Sequence, residues 1–187
     1  MVLVISAPSG TGKTTLCHML IDKVENAVFS VSTTSRNPRD GEEQGRDYNF
    51  VTEEKFMEMV KKERLLEWAE VHGNYYGTSR ELVLENISKG NHVILDIDVQ
   101  GGIQIKEKLP ESILIFLMPP SIDELKRRLK SRNQDSDIEI EKRMNTAQKE
   151  IEYAKKYDYL VINDEIDRAL KKLESIITAE KCRIRVH

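Results

Sequence analysis

The sequence predicts an α/β fold in which helices cover both faces of a parallel sheet with five central strands. Short apolar runs alternate with segments of helical periodicity along most of the 187 residues. A glycine-rich loop joins the first apolar run, 2–5, to the first helix. The sequence contains no repeat or low-complexity tract that would divide it, so the chain fits a single domain.

The other elements follow in chain order. Apolar or β-branched runs predict strands at 28–31, 48–51, 92–97, 113–117 and 159–162. Apolar periodicity and capping residues predict helices that begin near 14, 53, 79, 121 and 136, the last of these running to about 156, and a final amphipathic helix around 170–177. Residues 65–78 read as a strand or a hairpin. Two irregular regions, 32–78 and 133–137, interrupt the alternation, and insertions on a rigid sheet often bind ligands.

Composition excludes several classes of protein. Hydrophobic residues make up 39% of the chain and charged residues 33%, and no apolar run approaches the ~20 residues that span a bilayer. No export signal precedes the first strand, so we expect a cytoplasmic protein that does not bind membranes. Cys17 and Cys182 and the four histidines show no disulfide or metal-ligand spacing. The net charge of −3 gives no general attraction to nucleic acid. Assembly into a homo-oligomer stays open.

The loop after the first strand has the pattern of a phosphate-binding loop. It reads Ala7-Pro8-Ser9-Gly10-Thr11-Gly12-Lys13-Thr14 and departs from Gly-x-x-x-x-Gly-Lys-Ser/Thr only at its first residue. Backbone N–H groups at the start of the next helix converge on an anion, and glycine allows the close approach. We expect Lys13 to reach the outer phosphates and the Thr14 hydroxyl to bind Mg²⁺. A chance glycine turn is the alternative.

A second candidate phosphate site lies in the first irregular region. Arg36, Arg39 and Tyr48 stand close together in the sequence, after the strand predicted at 28–31. Guanidinium groups bind phosphate oxygens in pairs, and a tyrosine hydroxyl adds a donor. A solvated basic loop explains this stretch about equally well when it is taken alone.

Together these motifs resemble those of guanylate kinases, the ATP:GMP phosphotransferases among the P-loop nucleoside monophosphate kinases. The resemblance covers nearly the whole chain. It rests on four motifs in order, at 7–14, 32–48, 67–78 and 94–101. Four ordered motifs are far more specific than one.

The resemblance implies an activity and a division of the chain. The expected reaction transfers the γ-phosphate of ATP to GMP, and also to dGMP, in purine nucleotide metabolism and GMP recycling. Mg²⁺ accompanies ATP. The expected fold is of the P-loop NTPase type, with an inserted GMP-binding lobe at 32–78, a short lid at 121–145 and a core formed by 1–31, 79–120 and 146–187.

The resemblance also implies site residues. For ATP these are Ala7, Pro8, Ser9, Gly10, Thr11, Gly12, Lys13, Thr14, Thr15 and Asn163. The GMP phosphate is assigned to Arg36, Arg39, Tyr48 and Tyr76, and the guanine edge to Ser32, Glu67, Thr78 and Asp98. Thr14 and Asp96 are assigned to the metal. The expected catalytic residues are Lys13, Arg36 and the lid arginines Arg128, Arg132 and Arg143.

Chemistry independently favours guanine as the base. Guanine presents two adjacent donors, N1–H and the N2 amino group, which a carboxylate such as Glu67 can accept, while hydroxyls of Ser32 or Thr78 donate to O6. Adenine has an acceptor at N1 and would leave the carboxylate unpaired, which costs roughly 1–3 kcal/mol for each buried group. The acceptor phosphate is largely dianionic at pH 7, so the transfer requires no general base.

Several alternatives stay open. Asp96 and Asp98 are also placed to cap the following helix. Charged helix faces are commonly only solvated, which applies to the lid arginines, and Asn163 fits a turn before a helix as well as an adenine site. For the whole chain, the competing functions are a catalytically inactive scaffold of guanylate-kinase-like fold and a kinase for another small acceptor. The intact loop disfavours the scaffold, and Glu67 disfavours another acceptor.

Overall fold

A five-stranded parallel sheet forms the centre of the computed structural model, which describes residues 1–71, 73–131 and 137–184. The strands of the described chain are β1 (Val2–Ser6), β2 (Ala27–Phe29), β3 (Thr33–Thr34), β4 (Asn49–Phe50), β5 (Leu65–Val71), β6 (Asn74–Ser79), β7 (His92–Asp96), β8 (Ile113–Met118) and β9 (Tyr159–Ile162). The central sheet has the order β2-β7-β1-β8-β9, with every neighbouring pair parallel. The predicted α/β fold with five central strands is confirmed.

Helices cover both faces of this sheet. They are α1 (Lys13–Lys23), α2 (Glu53–Lys61), α3 (Arg80–Ser88), α4 (Val99–Lys108), α5 (Ile122–Ser131), α6 (Asp137–Glu152) and α7 (Ile166–Lys181), and a 3-10 helix spans Tyr153–Lys156. Successive residues of β1 point to opposite faces, so Leu3 and Ile5 join a core with α1 and α7, while Val2 and Val4 join a second core with α3 and α4. In the described ranges, none of the helices is long and apolar enough to cross a membrane.

A smaller sheet stands beside the central one. Its order is β4-β3-β6-β5, and β5 and β6 form an antiparallel pair. Gly77 is needed in β6 because a side chain there would meet the backbone oxygen of Glu67 at 2.7 Å. Glycine therefore allows the two strands to approach closely where Glu67 and Thr78 pair.

Several observed elements differ from the predictions. Strand β2 begins and ends earlier than 28–31. Strand β3 was not predicted, because a pair of threonines in a polar stretch carries no apolar pattern. Helix α4 was anticipated only as the helix after Asp98, and its glycine pair weakens the helical pattern. The helix predicted to reach about 156 ends at Glu152 and continues as the 3-10 helix. Of the predicted break at 133–137, residues 133–136, with the capping residue Ser136, lie outside the described residues, and Asp137 is the first residue of α6.

Asp98 is the N-cap of α4, and we expect its loss to destabilise the fold. Its Oδ1 accepts a hydrogen bond from the Gly101 N–H at 2.7 Å. Asp98→Ala should lower the free energy of unfolding by about 1 kcal/mol, whereas Asp98→Asn keeps a capping oxygen and should stay within a few tenths of a kcal/mol of the wild type. Urea unfolding followed by circular dichroism measures both variants. Equal losses would contradict the capping role.

Candidate active site

Two glycines shape the phosphate loop (residues 7–14) between β1 and α1. Their backbones lie in the left-handed region, with φ of 90° at Gly10 and 91° at Gly12. A side chain at Gly10 would meet Leu129 Cδ2 at 2.8 Å, and one at Gly12 would meet Asn163 Nδ2 at 3.0 Å. Both positions therefore need glycine for its conformation and for space. Ala7, the departure from the usual pattern, is buried in the apolar core.

The carbonyl side of the loop is held by Asn163 and Arg128. The amide of Asn163, which follows β9, donates to the Thr11 carbonyl at 2.7 Å. Arg128 donates to the carbonyls of Asn163 at 3.1 Å and Thr11 at 3.5 Å, and its Nε lies 2.8 Å from Glu124 Oε1. Asn163, which the sequence assigned to ATP, and Arg128, which it assigned to catalysis, thus both brace the loop. A cavity of about 320 Å³ lies beside them, and Gly12 and Asn163 are among its lining residues.

Lys13 and Thr14 meet Asp96 at the end of β7. Lys13 Nζ lies 2.6 Å from Asp96 Oδ1 and donates to the Ile97 carbonyl at 2.9 Å. Thr14 Oγ1 donates to Asp96 Oδ2 at 2.7 Å. This contact follows from the parallel register, which pairs Ile5 of β1 with Asp96 of β7 and so brings the strand ends together.

Thr14 and Asp96 fit Mg²⁺. A hydroxyl and a carboxylate are hard oxygen donors, and Mg²⁺ usually completes its shell with water and substrate phosphate oxygens beside one or two carboxylates. Within the described part of the chain, histidine, cysteine, aspartate and glutamate form no group of three or more that could hold a metal ion.

A cavity of about 370 Å³ opens over the loop. It is lined by residues 7–15 together with Asp96, Asp98 and Glu150. Glu150 of α6 was missed in the sequence, because nothing in the local pattern distinguishes it from the other acidic residues of that helix. Burial raises the pKa of Glu150 and Asp98 adds to the rise, while Lys13 and the Ser9 backbone N–H oppose it.

The lid arginines occupy different places. Arg143 of α6 reaches the loop, and its Nη2 donates to Ser9 Oγ at 2.6 Å. Arg128 braces the loop at Thr11, as described above. Arg132 lies outside the described residues. The structure thus brings two of the three predicted lid arginines to the phosphate loop.

A row of polar side chains crosses the smaller sheet. Glu67 of β5 pairs with Thr78 of β6, Thr33 of β3 pairs with Gly77, and Ser32 directly precedes β3. The Thr78 hydroxyl donates to Glu67 Oε1 at 2.6 Å, and both side chains are buried. The Thr78 hydroxyl therefore donates its hydrogen to Glu67 in this structure.

Glu67 lies against the start of α4. A side chain at Gly101 would stand 2.9 Å from Glu67 Oε2. Burial raises the pKa of Glu67 to about 7; the Thr78 hydrogen bond lowers it, and the charge of Asp98 adds to the rise. Asp98, the fourth residue predicted for the guanine edge, is near this carboxylate but uses one oxygen to cap α4. This oxygen therefore serves as a helix cap, which was the alternative role considered for Asp98.

The predicted residues of the second phosphate site also cluster. The Arg36 guanidinium lies 5.3 Å from the centre of the Tyr48 ring, and the Tyr48 and Tyr76 rings are 6.0 Å apart. Arg36 Nη2 donates to Glu42 Oε1 at 2.9 Å, a hydrogen bond that lowers the pKa of Glu42 and raises that of Arg36. The Arg39 side chain is exposed, and its backbone N–H donates to Glu42 Oε2 at 2.8 Å. Glu42 was missed, although its place six residues after Arg36 in an arginine-rich loop was a usable signal.

Comparisons with known proteins agree with this geometry. The guanylate kinase family model matches residues 1–180. The guanylate kinase of Caldanaerobacter subterraneus subsp. tengcongensis is 49% identical over 98% of this chain and 89% of its own length. That of Desulfitobacterium hafniense is 48% identical over 99% of this chain and 92% of its own length.

Solved structures give the same result. The crystal structure of guanylate kinase from Anaplasma phagocytophilum has a TM-score of 0.77 and 35% identity, covering 98% of this chain and 87% of that one. A shikimate kinase from Bacteroides thetaiotaomicron shares only the fold, with a TM-score of 0.53 and 18% identity over 95% of this chain and 98% of its own. With a family match over nearly its whole length and relatives at almost half identity, the chain belongs to the guanylate kinase family.

Proposed function

We propose that this chain transfers the γ-phosphate of ATP to GMP, giving ADP and GDP, and that it uses dGMP as a further acceptor. The observation that carries the proposal is the buried carboxylate of Glu67, held by Thr78, in a chain whose phosphate loop keeps Gly12, Lys13 and Thr14. The proposed reaction serves purine nucleotide metabolism and GMP recycling, and its proposed location is the cytoplasm. ATP and GMP are its partners, without nucleic acid or membrane; whether copies of the chain assemble stays open.

The smaller sheet is the proposed GMP-binding lobe, at 32–78. Thr78 fixes Glu67 Oε1, and the carboxylate oxygens then accept guanine N1–H and the N2 amino group, while Ser32 donates to O6. Asp98 borders the same edge from α4. Glu67 must be ionised to accept both donors, and the positive end of α4 next to it favours the charged form.

Arg36, Arg39, Tyr48 and Tyr76 form the proposed site for the GMP phosphate. Glu42 already holds Arg36 through one oxygen and the backbone of Arg39 through the other. These two contacts with Glu42 hold the Arg36 side chain and the Arg39 backbone close to each other before GMP binds. The Arg36 guanidinium also donates to the Asn37 carbonyl at 2.7 Å. It must turn away from that carbonyl to present a free edge to the phosphate oxygens.

The phosphoryl transfer depends on positioning and charge rather than on a protein base. Lys13 lines the cavity over the loop and Arg143 reaches Ser9, and we assign to both cations the stabilisation of charge on the migrating group. Mg²⁺, held by Thr14 and Asp96, would neutralise phosphate charge when bound. Arg128 contributes by bracing the loop, and Arg132 completes the proposed set. Closure of the lid at 121–145 over ATP excludes water.

The experiment for this function measures ADP release from Mg-ATP with GMP, AMP, CMP, UMP and dTMP offered separately. We expect rapid release with GMP alone and none with a Lys13→Ala variant. No ADP release with any of the five acceptors would favour the scaffold function. Release with a different nucleotide would keep the phosphoryl chemistry and refute the role of Glu67.

Removal of the Glu67 charge should affect GMP selectively. We expect Glu67→Gln to raise the KM for GMP about 10- to 100-fold, because one guanine donor then meets an amide donor in a buried site. The KM for ATP should stay the same. Glu70→Gln is the matched control, since Glu70 lies exposed on the same strand. Steady-state kinetics with each substrate varied decides; parallel changes in both KM values would argue against a guanine contact.

The pKa of Glu67, about 7, predicts a pH dependence of GMP binding. Guanine binds the ionised carboxylate, so affinity is fully present above this pKa and falls as pH falls through it. We expect the wild-type KM for GMP to rise about tenfold from pH ~8 to pH ~6. Glu67→Gln lacks this titration and should show only the weaker effect of the phosphate, whose second pKa is ≈ 6. Identical profiles for the two proteins would refute this assignment.

A further inference from the structure

The charge balance of the phosphate cavity is unusual for a site that binds a polyanion. Among the described residues that line it, Lys13 is the one cation, whereas Asp96, Asp98 and Glu150 are all acidic. Arg143 approaches from outside this lining, at Ser9. The cradle that must accept a triphosphate therefore carries more negative than positive side chains.

Two of the three carboxylates have an evident task. Asp96 pairs with Lys13 and accepts the Thr14 hydroxyl, which suits a metal ligand. Asp98 caps α4 through the Gly101 N–H. Glu150 differs, because its Oε2 is buried and makes no hydrogen bond within the described structure. An unpaired buried oxygen on a carboxylate is costly, and it needs an explanation in function.

We propose that Glu150 is a specificity-determining residue that makes the phosphate cavity select magnesium-complexed nucleotide over metal-free nucleotide. This inference rests on the proposed function and extends it to the form of the donor. Coulomb repulsion grows with ligand charge, so a carboxylate at the cavity wall penalises ATP⁴⁻ about twice as strongly as MgATP²⁻. Because the magnesium complex brings its own compensating charge, it meets the smaller barrier.

The position of Glu150 makes the effect specific to the bound phosphates. The carboxylate lies half-buried at the cavity wall, where solvent and salt screen less than at the surface. Its charge is opposed by Lys13 and by the Ser9 N–H, and reinforced by Asp98. Lys13 already pairs with Asp96 at 2.6 Å, so it neutralises Glu150 only in part.

The test is equilibrium binding of ATP by titration calorimetry without an acceptor, at pH ~8 so that the carboxylate is ionised. Each protein is titrated once with EDTA and once with excess Mg²⁺, at equal ionic strength. We expect Glu150→Gln to tighten the binding of metal-free ATP about tenfold and that of the magnesium complex about threefold. The magnesium complex carries half the charge, so its change in binding free energy is half as large. Half the free energy corresponds to the square root of the fold-change in the dissociation constant. Glu152→Gln, at an exposed position of the same helix, should change neither constant.

Several outcomes would overturn the proposal. Equal tightening of both forms, no change in either, or weaker binding by Glu150→Gln would each contradict charge selection. If Glu150→Gln does not fold, Glu150→Asp replaces it, because aspartate moves the same charge back from the cavity by one methylene group. Glu150→Asp should also tighten the binding of metal-free ATP more than the binding of the magnesium complex. A wild-type protein that binds neither form would instead refute the proposed ATP site, so the two failures are distinguishable.

Discussion

The conformation of the phosphate loop depends on partners for its Thr11 carbonyl that come from outside the loop. Thr11 lies at the turn of the loop, and its carbonyl oxygen accepts the buried amide of Asn163 and the guanidinium of Arg128. A buried carbonyl without partners would destabilise this conformation by roughly 1–3 kcal/mol. The two supporting residues come from distant parts of the chain, so the cradle depends on the assembly of β1, β9 and α5.

Other polar side chains of the candidate site are also held by a partner before any ligand binds. Thr78 donates a hydrogen bond to one oxygen of Glu67, Glu42 forms an ion pair with Arg36, and Asp96 forms an ion pair with Lys13. Each pairing fixes a functional side chain in the absence of ligand and reduces the entropy lost when the ligand binds. Glu150 lacks such a pairing at one oxygen, which is buried without a hydrogen-bond partner within the described structure.

The sequence predicted the architecture and most site residues because those signals are local. Apolar runs define β1, β7 and β8, and the spacing of Gly12, Lys13 and Thr14 defines the loop. Other features depend on long-range contacts. Strand β3 forms because Thr33 and Thr34 pair with β4 and β6, and nothing in the two threonines alone indicates it. Likewise Asn163 was assigned to ATP and Arg128 to catalysis, and only the fold reveals that both hold the loop.

The central claim is that the Glu67 carboxylate accepts both donors of the guanine edge. Inosine monophosphate tests it most directly, because it keeps N1–H and O6 of the base and lacks only the N2 amino group. With the wild-type protein, kcat/KM should favour GMP over inosine monophosphate by about 10- to 100-fold, since one charged hydrogen bond is lost and a buried carboxylate oxygen is left unpaired. Equal use of the two acceptors would contradict this account of the site.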